Sequence, residues 1–393
     1  MEPEIYFEPI SSLLSGFFKQ NDDNSTLGDV LEAYIEKGKF PSLEGAQIAI
    51  IGINEDRKSV GNVGCDTAPD RVREYLYPLQ IHWNRLHIVD LGNISQGHTV
   101  DDTYFAVKDV VSMLIKMDIV PILIGGSHDL TYANYLAYEN IGRVINIAAV
   151  DPVFDLGHDD DELTSRSYLS RIILHQPNFL FNFTNIGYQS YFVNQDALVL
   201  MKNLFFDVNR LGNVRANMEE TEPMVRNADI LTFDLSAVRA ADSPGNYYAG
   251  PNGFSGEEAC RICRYAGMSD KLSSFGIYEM NPEFDPRGQS AHLVAQMIWY
   301  FLDGFANRQH DLPYEDTKDF VRFQVYLEGQ GEELIFLKSK KTDRWWIEIP
   351  LRNPVNKKYI RHHFVPCSYS DYQTALQHEI PDRWLMLQQK LMG

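Results

Sequence analysis

The sequence predicts an α/β protein with a mostly parallel central sheet, helices on both of its faces, and a smaller β-rich extension at the carboxyl end. Between residues 45 and 310, short apolar runs alternate with amphipathic stretches of helical period. That alternation gives parallel strands joined by crossover helices. Acidic residues and a histidine recur just past the ends of the apolar runs, where ligands bind in sheets of this class. After residue 310 the alternation stops, and aromatic-rich runs around a polar turn replace it.

Residues 1–44 read as a mainly helical extension. "AQIAIIGI" (46–53) is a continuous apolar run, as a strand buried on both faces requires, and a long polar loop follows it. "RVREYLYPL" has helical spacing, "LHIVDLG" (86–92) is the next strand, and residues 100–117 form an amphipathic helix. "VPILIGGSHDL" (120–130) is a strand running into a Gly-Gly turn before another helix. "RVINIAAVD", "NFTNIGYQ" (182–189), "ILTFDLSAV" (230–238) and "LSSFGIYEMNP" (272–282) are further strands. "GEEACRICRYAG" and residues 289–306 are helices, the second long and amphipathic. Beyond them, "EELIFLKSKKTDRWWIEIP" (332–350) pairs two apolar-aromatic strands around a Lys-Lys-Thr-Asp turn. The expected division is therefore 1–44, 45–310 and 311–393.

Bulk composition narrows the function. The formal net charge of −19 opposes binding to nucleic acid or to anionic membrane. No apolar run is long enough to span a bilayer, so membrane insertion is not expected. The acidic start lacks the basic segment of a secretory signal. Of the four cysteines, Cys260 and Cys263 form a lone CxxC inside a helical stretch, which reads as packing and not as a zinc site. These features point to a cytoplasmic protein.

His128, Asp151, Asp155, Asp234 and Glu279 all fall at or just past predicted strand ends. In an extended chain Asp151, Val153 and Asp155 would share one face. Carboxylates with an imidazole suit a divalent metal such as Mn(II), so a valine between two aspartates is unexpected. His158 is a further nearby histidine, and Arg239 a candidate counter-charge for the acids. Trp345 and Trp346 are adjacent on a predicted strand and so point to opposite faces, one toward the domain and one toward solvent or a partner. A cover over the strand ends is the rival role for this extension.

These segments resemble the ureohydrolases: arginase, agmatinase and formimidoylglutamase. "GGSHDLTYA" resembles the family's Gly-Gly-Asp-His segment, "VDPVFD" its Asp-Ala-His-x-Asp, and "TFDLSAVRAADSPG" its Ser-x-Asp-x-Asp segment closed by Pro-Gly. "IYEMNPEFD" resembles its Val-Glu-x-Asn-Pro strand. The resemblance implies a three-layer α/β/α arginase-like fold and hydrolysis of guanidino or formimino C–N bonds at two manganese ions. It places one manganese on His128, Asp151, Asp155 and Asp234, and puts Glu279 against the substrate's guanidinium. The second manganese would share Asp151 and Asp234 and take its private ligands where this chain has Val153 and Ser236. Ser127 and Arg239 also replace family aspartates, and the family's substrate-loop histidine has no counterpart near "SRSYLS" (165–170). The expectation is a chain with none or one divalent metal that acts by binding, a pseudoenzyme. The alternative is an active hydrolase of guanidino or formimino substrates. Residues 311–393 are expected to supply a surface for a protein partner or for self-association.

Overall fold

The structure, a computed structural model, describes residues 3–18, 25–83, 86–157, 162–313, 317–327, 333–350 and 361–392. The main sheet comprises β1 (Phe7–Glu8), β2 (Glu32–Ala33), β3 (Ile48–Ile53), β4 (Ile88–Ile94), β5 (Val120–Ile124), β6 (Ile145–Val150), β7 (Leu180–Tyr188), β8 (Asp207–Arg210), β9 (Ile230–Asp234) and β10 (Ser274–Tyr278). Its order is β1-β4-β3-β5-β10-β9-β6-β7-β8, with β2 also on β4. Among the described residues every pairing in it is parallel except that of β1 with β4.

Alternate side chains of each central strand feed two separate cores. In β3, Ile48 and Ile50 pack with the helices Ala68–Leu76, Gly256–Gly267 and Gln289–Ala306. Ala49 and Ile51 pack with Val100–Lys116 and Leu130–Ile141 on the other face. Burial on both faces is why these strands are continuous apolar runs. Each buried isoleucine contributes roughly 1.5–3 kcal/mol. Ser255 caps the helix Gly256–Gly267 through a capping box with Glu258, which stabilises its start.

Two expectations need correction. Among its described residues the amino-terminal segment is not mainly helical: its helical pieces are the short stretches Pro3–Tyr6, Ser12–Phe17 and Leu27–Val30. Leu14, Leu27 and Leu31 dock singly on the core, and isolated pieces this short do not sustain a helix. In addition, β8 went unpredicted because it is an edge strand whose sequence, Asp-Val-Asn-Arg, has no apolar run.

A second, antiparallel sheet follows, ordered β11 (Phe320–Tyr326), β12 (Glu333–Ser339), β13 (Trp345–Glu348) and β14 (Phe364–Cys367). The predicted hairpin is the β12–β13 pair. Its tryptophans do point to opposite faces, but both are buried, Trp345 at 8 % exposure and Trp346 at 1 %. Trp345 stacks on Tyr372 of the helix Tyr369–Leu376. Trp346 carries the Arg226 guanidinium over its ring at 4.2 Å. The extension's own helix and the main domain therefore cover the two faces, so neither indole is left for a partner. Nor do the described residues of the extension cover the functional end of the sheet. They pack on Val144 and Phe181, at the amino ends of β6 and β7, and Arg361 pairs with Asp229 just before β9 at 2.6 Å.

Arg226 is one clasp between the two sheets. It donates through Nη2 to the carbonyls of Trp345 (3.1 Å) and Cys367 (3.3 Å) and through Nε to Glu222 (2.8 Å). Arg226→Met is expected to cost about 2–4 kcal/mol, because it leaves buried acceptors without their donor. Urea titration followed by tryptophan fluorescence should show a lowered midpoint, and trypsin should cut the extension sooner. An unchanged midpoint would remove Arg226 from this role.

Candidate metal centre

Four adjacent central strands, β5, β10, β9 and β6, deliver the acidic and histidine side chains at their carboxyl ends. Register levels them: Tyr278 pairs with Asp234, and Val150 with Phe233. Asp151, Asp234 and Glu279 therefore emerge side by side. His128 arrives after the Gly125–Gly126 turn, where the chain passes against its neighbours. A Cβ on Gly126 would sit 1.9 Å from the Glu55 carbonyl oxygen, so only glycine fits there.

His128, Asp151, Asp155 and Asp234 are all buried, and one ligand atom from each lies within 4.8 Å of the others. The imidazole Nδ1 stands 3.4 Å from Asp151 Oδ2, 3.3 Å from Asp155 Oδ2 and 3.5 Å from Asp234 Oδ2. On its far side, Nε2 meets the Thr232 hydroxyl at 2.8 Å. That contact fixes the ring and leaves Nδ1 facing the carboxylates, as outer partners of metal-binding histidines do. Asp151 Oδ1 accepts the Val153 N–H at 2.8 Å, and Asp234 Oδ1 accepts the Ser236 N–H at 2.7 Å. One oxygen of each of these aspartates is thereby held by a turn while the other faces inward. His128 Nδ1, Asp151 Oδ2 and Asp155 Oδ2 are buried without a hydrogen-bond partner. Three carboxylates and one imidazole with converging orphaned atoms fit a hard divalent cation.

The approach of Asp155 differs from the extended-chain expectation. Strand β6 ends at Val150, the chain bends at Pro152 and Val153, and Asp155 sits at φ +48°. Glu279 likewise has φ +66°. Non-glycine residues pay for this left-handed backbone, and such positions concentrate at functional sites.

Electrostatics shape the cluster. Burial, and then the charge of Asp155, pushes the Asp151 carboxyl well up. Burial pulls the His128 imidazole down, but the three aspartates outweigh it and hold it well above its ordinary value. Burial, with Asp234 adding to it, pushes Glu279 up to about 7. The expected counter-charge was Arg239. That residue instead pairs with Asp242 at 3.0 Å, 39 % exposed, because the chain turns outward after the Leu235–Ala237 turn. The cation at the site is Arg166, from the "SRSYLS" segment. Its Nη1 is 3.5 Å from Asp155 Oδ1, and its guanidinium lies over the Tyr248 ring at 4.2 Å.

Val153 and Ser236 line a cavity of about 540 Å³ with Asp155, Arg166, Phe192 and Tyr248. Glu279 is not among its walls. It accepts the His128 N–H at 2.9 Å through Oε1 and the Asn62 amide at 2.7 Å through Oε2, so both carboxyl oxygens are engaged. His158 lies outside the described residues. Cys260 and Cys263 are free, buried thiols in the helix Gly256–Gly267. Three residues of the site were not singled out from the sequence. Thr232 was detectable, since it lies two before Asp234 on one strand face. Arg166 and Asn62 come from loops and carry no spacing signal.

Comparison with known proteins agrees with this architecture. The Arginase family model matches residues 46–303. Formimidoylglutamase of Lysinibacillus sphaericus is 26% identical over 275 residues, covering 66% of this chain and 85% of that protein. The Streptococcus gordonii formimidoylglutamase is 24% identical over 298 residues, 67% of this chain and 86% of its own. Among solved structures, Trypanosoma cruzi formiminoglutamase with Mn2+ superposes with a TM-score of 0.63 at 21% identity, covering 69% of this chain and 97% of that one. Bacillus subtilis formimidoylglutamase gives 0.65 at 17%, covering 74% and 94%. At such identities the structural likeness speaks to fold alone.

Because His128 and Asp151 hold protons more firmly than usual in the cluster, a cation must displace them to bind. Mn(II) affinity is therefore expected to fall as pH is lowered, by up to about tenfold per unit for each proton displaced. Calorimetric titration at several pH values checks this. A flat affinity from roughly pH 8 to 6 would mean that these groups are not the ligands.

Proposed function

The chain belongs to the arginase family, and from that premise we propose that it is a mononuclear, ligand-binding member in which binuclear C–N hydrolysis has been lost. One observation carries the reading. Val153 and Ser236 hold Asp151 and Asp234 by their backbone N–H groups, yet neither side chain offers a carboxylate or an imidazole at the position of a second metal. His128, Asp151, Asp155 and Asp234 would hold the one Mn(II) or similar ion. A bound divalent metal supplies a Lewis acid that lowers the pKa of water, and a metal pair also fixes the line of attack. The protein's own groups do the rest: Thr232 orients the imidazole, Arg166 offsets the acids, and Glu279 braces the His128 backbone. The Glu279 carboxylate, already bonded to His128 and Asn62, is poorly placed to receive a guanidinium.

The second reading is a mononuclear hydrolase of guanidino or formimino substrates, which the intact four-atom cluster favours. Metal content and turnover measured on one preparation separate the two. The native chain should hold at most one manganese. It should release no urea, ammonia or formamide from arginine, agmatine or formiminoglutamate above an Asp151→Ala control. Val153→His with Ser236→Asp should raise manganese content toward two, against the opposing charge of Arg166. Manganese-dependent turnover abolished by Asp151→Ala, or two metals in the native chain, would sink the pseudoenzyme reading.

Residues 311–393 are read as carrying a partner or self-association surface. The supporting features are the exposed β11 side chains Val321 (41%) and Tyr326 (67%) on an edge strand of the second sheet, where unpaired backbone invites pairing. Val321→Asp with Tyr326→Asp should lower the mass seen by light scattering or lose a partner in a pull-down. No change in either would end this reading. The four cysteines are free and buried, which suits a cytoplasmic setting, and no described helix is long and apolar enough to cross a membrane.

A further inference from the structure

We propose that the cavity beside the four-ligand cluster binds a small carboxylate with a planar apolar body, and that it excludes guanidinium compounds. The inference rests on the mononuclear, ligand-binding reading above and assigns that site its ligand class.

The walls exclude a guanidinium first. Such a group needs buried carboxylate oxygens as acceptors. Among the described residues, Asp155 is the one acidic residue lining the cavity. Its Oδ2 faces His128 Nδ1 at 3.3 Å, and its Oδ1 faces Arg166 at 3.5 Å. A cationic ligand at Asp155 would lie against the Arg166 charge. Glu279 is spent on His128 and Asn62 and lies behind the cavity wall.

The same walls offer donors. A guanidinium carries five N–H groups in a planar fork. Among the described residues, the long contact to Asp155 is the one hydrogen bond that the Arg166 guanidinium makes. Its face is stacked at 4.2 Å on Tyr248, which holds the fork in place. The Ser236 hydroxyl is a second donor in the wall. Its residue is 3% exposed, and Oγ makes no hydrogen bond of normal geometry, its polar neighbour being the Asp234 carboxylate, which it helps to hold ionised. A buried hydroxyl left without a well-formed bond is costly, and a carboxylate bridging Arg166 and Ser236 would satisfy both. Apart from Asn194, the rest of the described wall is mainly apolar and aromatic, with Val153, Leu156, Phe192 and Tyr248. Phe192 is 56% exposed at the rim and pairs edge-on with Tyr191 at 4.7 Å. A cavity of about 540 Å³ with a few fixed polar groups in an apolar lining is the usual form of a small-molecule site.

Isothermal titration of the full-length, Mn(II)-loaded chain tests this with 3-phenylpropionate and agmatine as probes. The expected result is one 3-phenylpropionate per chain with a Kd of about 1 mM or tighter, and no agmatine binding in that range. Arg166→Gln should weaken 3-phenylpropionate by roughly 10- to 100-fold. Arg166→Lys, which keeps the charge against Asp155 and loses the fork, should weaken it about tenfold. Arg239→Gln, a surface change away from the cavity, should leave it unaltered. Absence of 3-phenylpropionate binding, tighter binding of agmatine, or undiminished binding in both Arg166 variants would each overturn the assignment. Metal content and ammonia release from the same samples report separately on the mononuclear reading. Two metals per chain or agmatine turnover would fail that reading, whereas failure of the probe with one metal and no turnover would fail the ligand class alone.

Discussion

Three aspartate oxygens held around one buried imidazole nitrogen are the constraint to which the carboxyl edge of the sheet is built. Two like charges about 4 Å apart repel by roughly 4 kcal/mol at the effective dielectric of a protein. The fold offsets this with local donors. Turn amides bind one oxygen each of Asp151 and Asp234, and Arg166 approaches Asp155. Because those amides belong to Val153 and Ser236, the side chains there can change without loosening either aspartate. Backbone geometry holds the cluster, and side-chain identity sets how much cation it can take. The two properties are separable, so the scaffold can keep its form whatever side chains stand at positions 153 and 236.

The opposite end of the sheet does different work. Asp229, fully buried before β9, donates its N–H to the Asn146 carbonyl and accepts the Asn146 N–H on its side chain. Arg361 of the extension pairs with it at 2.6 Å, while Lys271 of the main domain stands 4.0 Å away. Removing the extension would leave this carboxylate with the more distant cation alone. Burying an unpaired charge is strongly unfavourable. The second sheet is thus joined electrostatically to the first, with the Trp346–Arg226 contact beside that junction. The extension thus docks at the amino ends of the strands, and the four-residue cluster lies at the carboxyl ends.

Much of this was legible in the sequence because burial on both faces writes itself as continuous apolar runs. β3, β5, β6, β9 and β10 are such runs, and the helices Gly256–Gly267 and Gln289–Ala306 carry helical spacing and, for the first, a capping signal. His128, Asp151, Asp155 and Asp234 stood out by their place after those runs. What escaped had no periodic cause. β8 is polar because it lies at an edge. Asp155 reaches the cluster through a left-handed residue, which no alternation rule anticipates. Arg166 is set by a loop, so Arg239, near in sequence to Asp234 but turned outward, looked the better counter-charge. Trp345 is covered by a helix whose docking depends on tertiary packing, and a period-two pattern can assign a face without saying what covers it.

On the mononuclear reading, Val153 and Ser236 change the kind of positive charge at the site as well as its amount. A divalent metal would supply Lewis acidity for activating water. A guanidinium does not, because it stays protonated at any ordinary pH and has no open coordination position. It can orient an anion through directed hydrogen bonds, and its stack on Tyr248 limits the directions it can point. On the mononuclear reading, Arg166 supplies a fixed charge where the family architecture would supply a reactive one. Valine at position 153 then contributes apolar surface to the same cavity, and serine at position 236 contributes a neutral donor. On that same reading the three side chains favour recognition over hydrolysis, and the four-residue cluster is the buried anchor beside them.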